Sequence, residues 1–200
     1  MKDMPKRLKK TGRPALLPGD YGYISAYKKR QMIKVIIWAV IIAAVITGGW
    51  IAAGTRMNSV TVIGMVLVLP AAKTLIGWIV VARYHTGSRK EYDQIMELAG
   101  KNSLVLADIV LTRYEGSMAV NIAVLHGGTV LAYVPKQKTS PEKIREYLTE
   151  IKKAAQAEGS VSVYTDFNKF YALVKKLSVS QSKPGKTEET LMKELLSRAV

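Results

Sequence analysis

Residues 21–90 contain no Asp or Glu, and most of that stretch is apolar. Residues 35–54 form a run of twenty without a charge, and residues 60–82 a run of twenty-three whose single charge is Lys73. A helix rises ~1.5 Å per residue, so either run reaches across a hydrocarbon layer of ~30 Å. Two such runs in a chain of 200 residues exceed what one small core can bury. The pattern excludes a plain soluble enzyme, a disordered tail protein and a disulfide-stapled scaffold. A cleaved signal peptide does not fit either, because the first run starts late, is too long and is followed by a second.

Charge orders the rest. Residues 1–34 carry ten Lys/Arg and two acids, residues 35–82 only Arg56 and Lys73, and residues 83–200 eighteen Lys/Arg and thirteen acids. The five residues between the runs force an antiparallel hairpin. Lys28, Lys29, Arg30 and Lys34 precede it, Arg83, Arg89 and Lys90 follow it, and only Arg56 lies at its tip. The excess of positive charge on one side predicts a plasma-membrane protein with both termini in the cytoplasm. Trp38 and Trp78 are expected near the inner interface and Trp50 near the outer one. The expected organisation is a basic juxtamembrane arm (1–32), a transmembrane hairpin (33–83), a cytoplasmic α/β domain (88–177), and a linker with a C-terminal amphipathic helix (178–200).

Two features of the hairpin invite partners. Lys73 lies ten residues from Arg83, ~15 Å along the helix, beyond easy snorkelling. Pro70 cannot donate to the Val66 carbonyl, which frees an acceptor and favours a kink. Either Lys73 meets an acidic residue or headgroup from outside this chain, in another membrane subunit or a second copy, or freed carbonyls, Thr47 or Thr74 satisfy it. Ala39 and Ala43, then Gly49 and Ala53, have the small-xxx-small spacing that permits close helix approach. Lys28, Lys29, Arg30 and Lys34, interleaved with Tyr21, Tyr23 and Tyr27, suit anionic inner-leaflet lipid at ~1 kcal/mol per basic residue. Residues 1–20 are expected to be loosely attached.

From Ser88 the text becomes periodic. Ser88-x-x-Glu91 has capping-box spacing before Tyr92, Ile95, Met96 and Ala99, which share a helical face. Residues 104–113 read as a buried strand, with Asp108 on the face of Leu106 and Val110, where it is expected to pair with a backbone or basic group rather than act as a catalytic acid. Residues 117–126 and 129–134 follow as strands joined by Gly127-Gly128, with His126 expected at the surface. Ser140-Pro141 opens a helix with an apolar stripe from Ile144 to Ala155, ended by Gly159. Residues 161–164 form a fourth strand, Asp166 caps a further helix, and residues 187–200 carry Leu191, Leu195 and Leu196 on a last one. The fold class is therefore α+β: a transmembrane hairpin followed by a small α/β sandwich of order α-β-β-β-α-β-α-α. Its first three strands form an antiparallel meander and its fourth pairs parallel.

This order, carried by residues 119–156, resembles the restriction-endonuclease-like nuclease core. The resemblance implies a metal-binding Asp on the second strand and an acid-x-Lys pair on the third. Those positions fall on Asn121, Val134 and Lys136, so two of three key residues differ and no bound metal is expected. VLPAAK in the second run, YGYI…KKRQ before the first, and VSVYTDFNKF are similar to uncharacterised two-span bacterial membrane proteins, a resemblance that brings no activity.

No residue constellation points to a reaction. The chain has no Cys, so thiol catalysis, Cys-ligated zinc and iron–sulfur clusters are excluded. His85 and His126 lack metal-ligand spacing, and Pro184-Gly185-Lys186-Thr187 lacks the first glycine of a phosphate loop. No cofactor is expected, and the balance is against an enzyme. The sequence favours a non-catalytic membrane-anchored scaffold or regulatory subunit presenting an α/β interaction domain, with the last helix as part of its surface. The alternative is a membrane-tethered nucleic-acid-binding module on a catalytically degenerate nuclease-like fold, using Lys101, Arg113, Lys136 and Lys138. An enzyme would centre on Asp108, Asn121 and Lys136.

Overall fold

The computed structural model describes residues 16–54, 59–99, 103–113, 116–135, 139–178 and 185–199. The chain is mixed α+β. Helices α1 (Tyr23–Ala53), α2 (Ser59–Val66) and α3 (Val68–Ala82) precede α4 (Arg89–Ala99), strands β1 (Leu104–Arg113), β2 (Gly116–His126) and β3 (Thr129–Tyr133), α5 (Pro141–Ala154), β4 (Val161–Tyr164), α6 (Phe167–Ser178) and α7 (Lys186–Ser197). The order beyond the hairpin is the one the periodicities imply.

α1 begins at Tyr23, twelve residues ahead of the apolar run at Val35, because the basic segment continues the helix. The second run is divided at Leu67. Pro70 has no N–H for the Val66 carbonyl, and the helix loosens one turn before the proline. Two helices are long and apolar enough to cross a membrane, Tyr23–Ala52 and Val62–Ala82. Only 6% of the most apolar window of each is buried, unlike a core helix of a soluble protein. Gln31, Val35, Trp38, Ile42, Val45 and Gly49 form the more buried stripe of α1. Their spacing, alternating four and three, is that of a helix-pair seam. At the closest approach, a Cβ on Gly64 would lie 2.8 Å from Ile46 Cγ1, so the glycine admits the neighbouring helix. Ala39 and Ala43 are exposed, so that small-residue pair does not close the hairpin.

The sheet has the order β1-β2-β3-β4, with β1/β2 and β2/β3 antiparallel and β3/β4 parallel. One face packs on α5 and α7 through Ile109, Leu111, Val120, Leu125, Ile144, Leu148, Leu191 and Leu195. The apolar stripe of α7 is thus part of the core. The other face is divided. Ile122, Val124, Leu131 and Tyr133 meet Ile95, Phe170 and Val174 of α4 and α6, whereas Val110 and Ala119 meet Ile24, Val81 and Tyr84 at the foot of the hairpin. Met96 does not share the buried face of Ile95; it is 43% exposed.

Helix ends follow local chemistry. The Asp166 carboxylate accepts the Asn168 N–H at 2.9 Å and caps α6. α5 stops at Ala154, five residues before the expected Gly159. Gln156 adopts φ +52°, while Ala157 N–H donates to Lys152 O and Gln156 N–H to Lys153 O, a Schellman closure. His126 is buried rather than exposed, because its Nδ1 meets Ser103 Oγ at 3.1 Å.

β1 is an edge strand, and segments around Gly19 and Ala199 cover its free edge. Gly19 bridges Ala107, Ala199 bridges Leu111, and Ala107 N–H donates to Gly19 O at 2.8 Å. Residues 16–20 are therefore attached to the sheet, not loose. The β2–β3 turn has positive φ at Gly127 and Gly128, and a Cβ on Gly128 would lie 1.9 Å from Glu158 O. Nothing lies within 4 Å of a Cβ on Gly127. Gly127→Ala is expected to cost about 1 kcal/mol of left-handed strain, and Gly128→Ala at least about 2 kcal/mol more. Denaturant melts of both variants check the difference.

Candidate functional site

The irregularity that organises the domain lies at Asp108 and Asn121. The β1–β2 register runs from Leu104↔Leu125 to Arg113↔Gly116 but skips these two residues. Asp108 has φ +50°, a conformation that Asp tolerates better than most residues. Side-chain alternation slips here on both strands, so Leu106 and Ile109 share one face, as do Val120 and Ala123. Leu106 and Val110 consequently lie on opposite faces, and Asp108 is not in line with them.

The slip places a fully buried carboxylate against the hairpin foot. Asp108 Oδ2 accepts the Gly22 N–H at 2.9 Å, and Oδ1 accepts the Gly87 N–H at 3.3 Å. The Thr86 side chain and the Ile24 N–H also favour the charged carboxylate. Gly22 is the N-cap of α1, so a carboxylate remote in sequence caps that helix and meets the positive end of its dipole. Burial raises the Asp108 pKa above the ordinary value of 3.8, and the bonds from Thr86, Gly87, Gly22 and Ile24 only partly oppose it.

Neighbouring contacts reinforce the junction. Tyr21 Oη donates to Gly87 O at 2.9 Å, and its ring stacks on Tyr92 at 5.0 Å. Ser25 and Thr86 hydroxyls meet at 2.8 Å, and Tyr84 Oη donates to the Ser117 carbonyl. Lys28 Nζ donates to Ala82 O at 2.7 Å, capping the end of α3. Of the four basic residues read as lipid contacts, Lys28 is thus engaged internally, while Lys29, Arg30 and Lys34 are exposed. Tyr21, Tyr23 and Tyr27 pack within the fold, with Tyr23 and Tyr27 rings 5.6 Å apart.

Asn121 opens on a different surface. It is 7% exposed and lines a cleft of ≈320 Å³ with Arg83, His85, Ser88, Glu91 and Tyr133. A Cβ on Gly87 would lie 2.9 Å from Asn121 Nδ2, so the loop presses on the amide. Burial raises the Glu91 pKa, against the pull of a hydrogen bond from the Tyr133 hydroxyl. Asp108 and Asn121 are therefore brought together around Gly87, but Asp108 faces the backbone of the hairpin foot. Lys136, like Lys101 and Lys138, lies outside the described residues. Val134, at the position where the nuclease-like core carries an acid, is buried among apolar residues. Arg113 is paired with Glu150 at 3.0 Å. Among the described residues no group of three His, Asp or Glu side chains is arranged to hold a metal ion.

Sequence reasoning missed Gly87 and Glu188, and it gave Arg83 only as a flanking charge. Gly87 and Arg83 sit in a short linker without periodicity. Glu188 is buried; its Oε2 accepts the Gly185 N–H at 2.7 Å. Although burial raises its pKa, its own N–H and those of Gly185, Gly128 and Gly127 together bring it below the ordinary value. The Gly-x-x-Glu spacing at 185–188 was its one signal. In the hairpin, Lys73 is exposed and no described residue bonds its ammonium. Thr74 Oγ1 donates to Pro70 O at 3.0 Å and Thr47 Oγ1 to Ala43 O at 2.8 Å, so both hydroxyls serve their own helices.

Comparison with protein-family profiles, curated proteins and solved structures returned no match to the chain.

Asp108→Ala leaves the Gly22 and Gly87 amides without their acceptor and is expected to cost about 3 kcal/mol. Asp108→Asn keeps the tolerated backbone and one acceptor and costs less. Because the folded pKa is raised, the native state takes up its proton before the unfolded state does. Wild type should therefore lose stability relative to Asp108→Asn as pH rises from the ordinary carboxylate range through the raised value, with a constant difference above it. Melting temperatures of both proteins against pH in detergent check the slope.

Proposed function

We propose that the chain is a membrane-anchored, non-catalytic scaffold or regulatory subunit that holds its α/β domain at the cytoplasmic face. The observation that carries this reading is the outer surface of the hairpin. Ile51 is 83% and Leu69 71% exposed, with Val40, Val62, Ile63 and Ile76 also open. A solvated protein does not keep so large an apolar surface uncovered, whereas lipid covers it without cost. Lys73 is the single charge on α2 and α3, and it is exposed within that surface.

An ammonium at this depth is unfavourable unless paired. An acidic side chain of another membrane subunit, or of a second copy, relieves that cost and gives the protein an assembly role. Both ends of the hairpin meet at Asp108, which supports termini on one side. The exposed Lys29, Arg30 and Lys34 support contact with anionic lipid of the inner leaflet.

Purification from membranes in mild detergent, wild type beside Lys73→Leu, tests the proposal. A stoichiometric membrane protein, or a dimer by light scattering, is expected with wild type and should be lost with Lys73→Leu. Equal recovery of a monomer from both, with no bound protein by mass spectrometry, would reject the assembly role.

A further inference from the structure

A second cleft, of ≈350 Å³, opens where the foot of the hairpin meets the end of the sheet. Three basic side chains from distant parts of the chain line it: Arg83 just past α3, Arg113 at the end of β1 and Lys143 in the first turn of α5. Ser117, Thr139 and Ser140 add hydroxyls, and none of the described residues that line the cleft is acidic. Arg113 is pre-oriented: Glu150 takes one guanidinium nitrogen at 3.0 Å, and the Tyr147 ring lies 5.5 Å below the guanidinium carbon. Tyr84 donates to Ser117 on the cleft wall, which fixes the hairpin foot, and Arg83 with it, beside β2.

We propose that this cleft binds a phosphate oxyanion, as a phosphomonoester or phosphodiester group. Guanidinium and ammonium groups that share one cleft repel one another unless an anion sits between them. Arginine offers paired N–H donors matched to phosphate, and lysine adds a point charge. Glu150 offsets one of the three charges and leaves a net positive lining. Hydroxyls supply neutral donors to the remaining oxygens. The site is composite, because Arg83 belongs to the hairpin and the other groups to the domain, so an anion there bridges the two. The same chemistry is offered by a lipid headgroup at the end of α3 and by a soluble phosphate ester. The inference needs no partner subunit and stands apart from the assembly role of Lys73.

Full-length protein in detergent is titrated with inorganic phosphate against chloride at equal ionic strength, reading the melting temperature. In parallel, the protein is placed in nanodiscs of phosphatidylcholine with or without phosphatidic acid. Wild type is expected to gain several degrees from one or both ligands. Arg113→Gln/Lys143→Gln, and separately Arg83→Gln/Lys143→Gln, should weaken that binding at least tenfold while far-ultraviolet circular dichroism is unchanged. The second pair spares the Arg113–Glu150 contact and serves if the first unfolds. Stabilisation by phosphate alone identifies a soluble ligand, and stabilisation by phosphatidic acid alone a headgroup; either supports the site. Equal responses of wild type and both variants would overturn it. So would the absence of any wild-type response to either ligand.

Discussion

The Asp108 carboxylate accepts amide protons from the segment before the helical hairpin and from the loop after it. A buried charge is tolerated only with several hydrogen bonds, and here the donors are the otherwise unsatisfied amides of a helix start and a turn. The exchange is mutual: α1 gains a cap, and Asp108 gains the donors that make its burial bearable. Ile24, Val81, Tyr84, Val110 and Ala119 then close an apolar cluster around the same point. Through these contacts the hairpin and the sheet form one packed unit instead of two bodies joined by a tether.

Glu188 does the corresponding work at the other end of the chain. It joins the start of α7 to the β2–β3 turn through backbone donors. The two acids respond oppositely to pH. Burial dominates at Asp108, so its ionisation costs stability. At Glu188 the donors dominate, so its ionisation adds stability that is present above the ordinary carboxylate value and is lost as pH falls through the lowered one. Stability near pH 4 is therefore a balance between two groups on opposite sides of the domain.

Much of the architecture was legible because burial imposes periodicity. β1 and β4 have the expected bounds, since continuous apolar runs between polar turns leave little choice. Asp166 and Ser140 cap helices as their local spacing implies. What stayed hidden depends on distant partners. The Asp108 carboxylate meets an amide 86 positions earlier, and no local pattern announces a residue at positive φ. His126 is buried because Ser103 reaches it across the sheet. Gln156 takes a cap position that composition assigns to glycine, so α5 ends before Gly159. The site was half legible: Asp108 and Asn121 stand together, but their division of labour follows from the slip in alternation at that point.

The covering of the β1 edge by Gly19 and Ala199 has a consequence for how the chain is made. Synthesis runs from the N-terminus, so the segment around Gly19 waits until β1 has emerged before it finds its partner. The other half of the edge stays open until residues near 199 are free. Native structure therefore arrives late and all together, because its longest-range contacts require nearly the whole described chain. A ribosome stalled after β4 would hold a sheet whose edge is uncovered at Leu111 and whose β2–β3 turn is unpinned. Such an edge is what chaperones and proteases recognise as unfinished, so the bridge at Ala199 removes a signal that the partly made sheet displays.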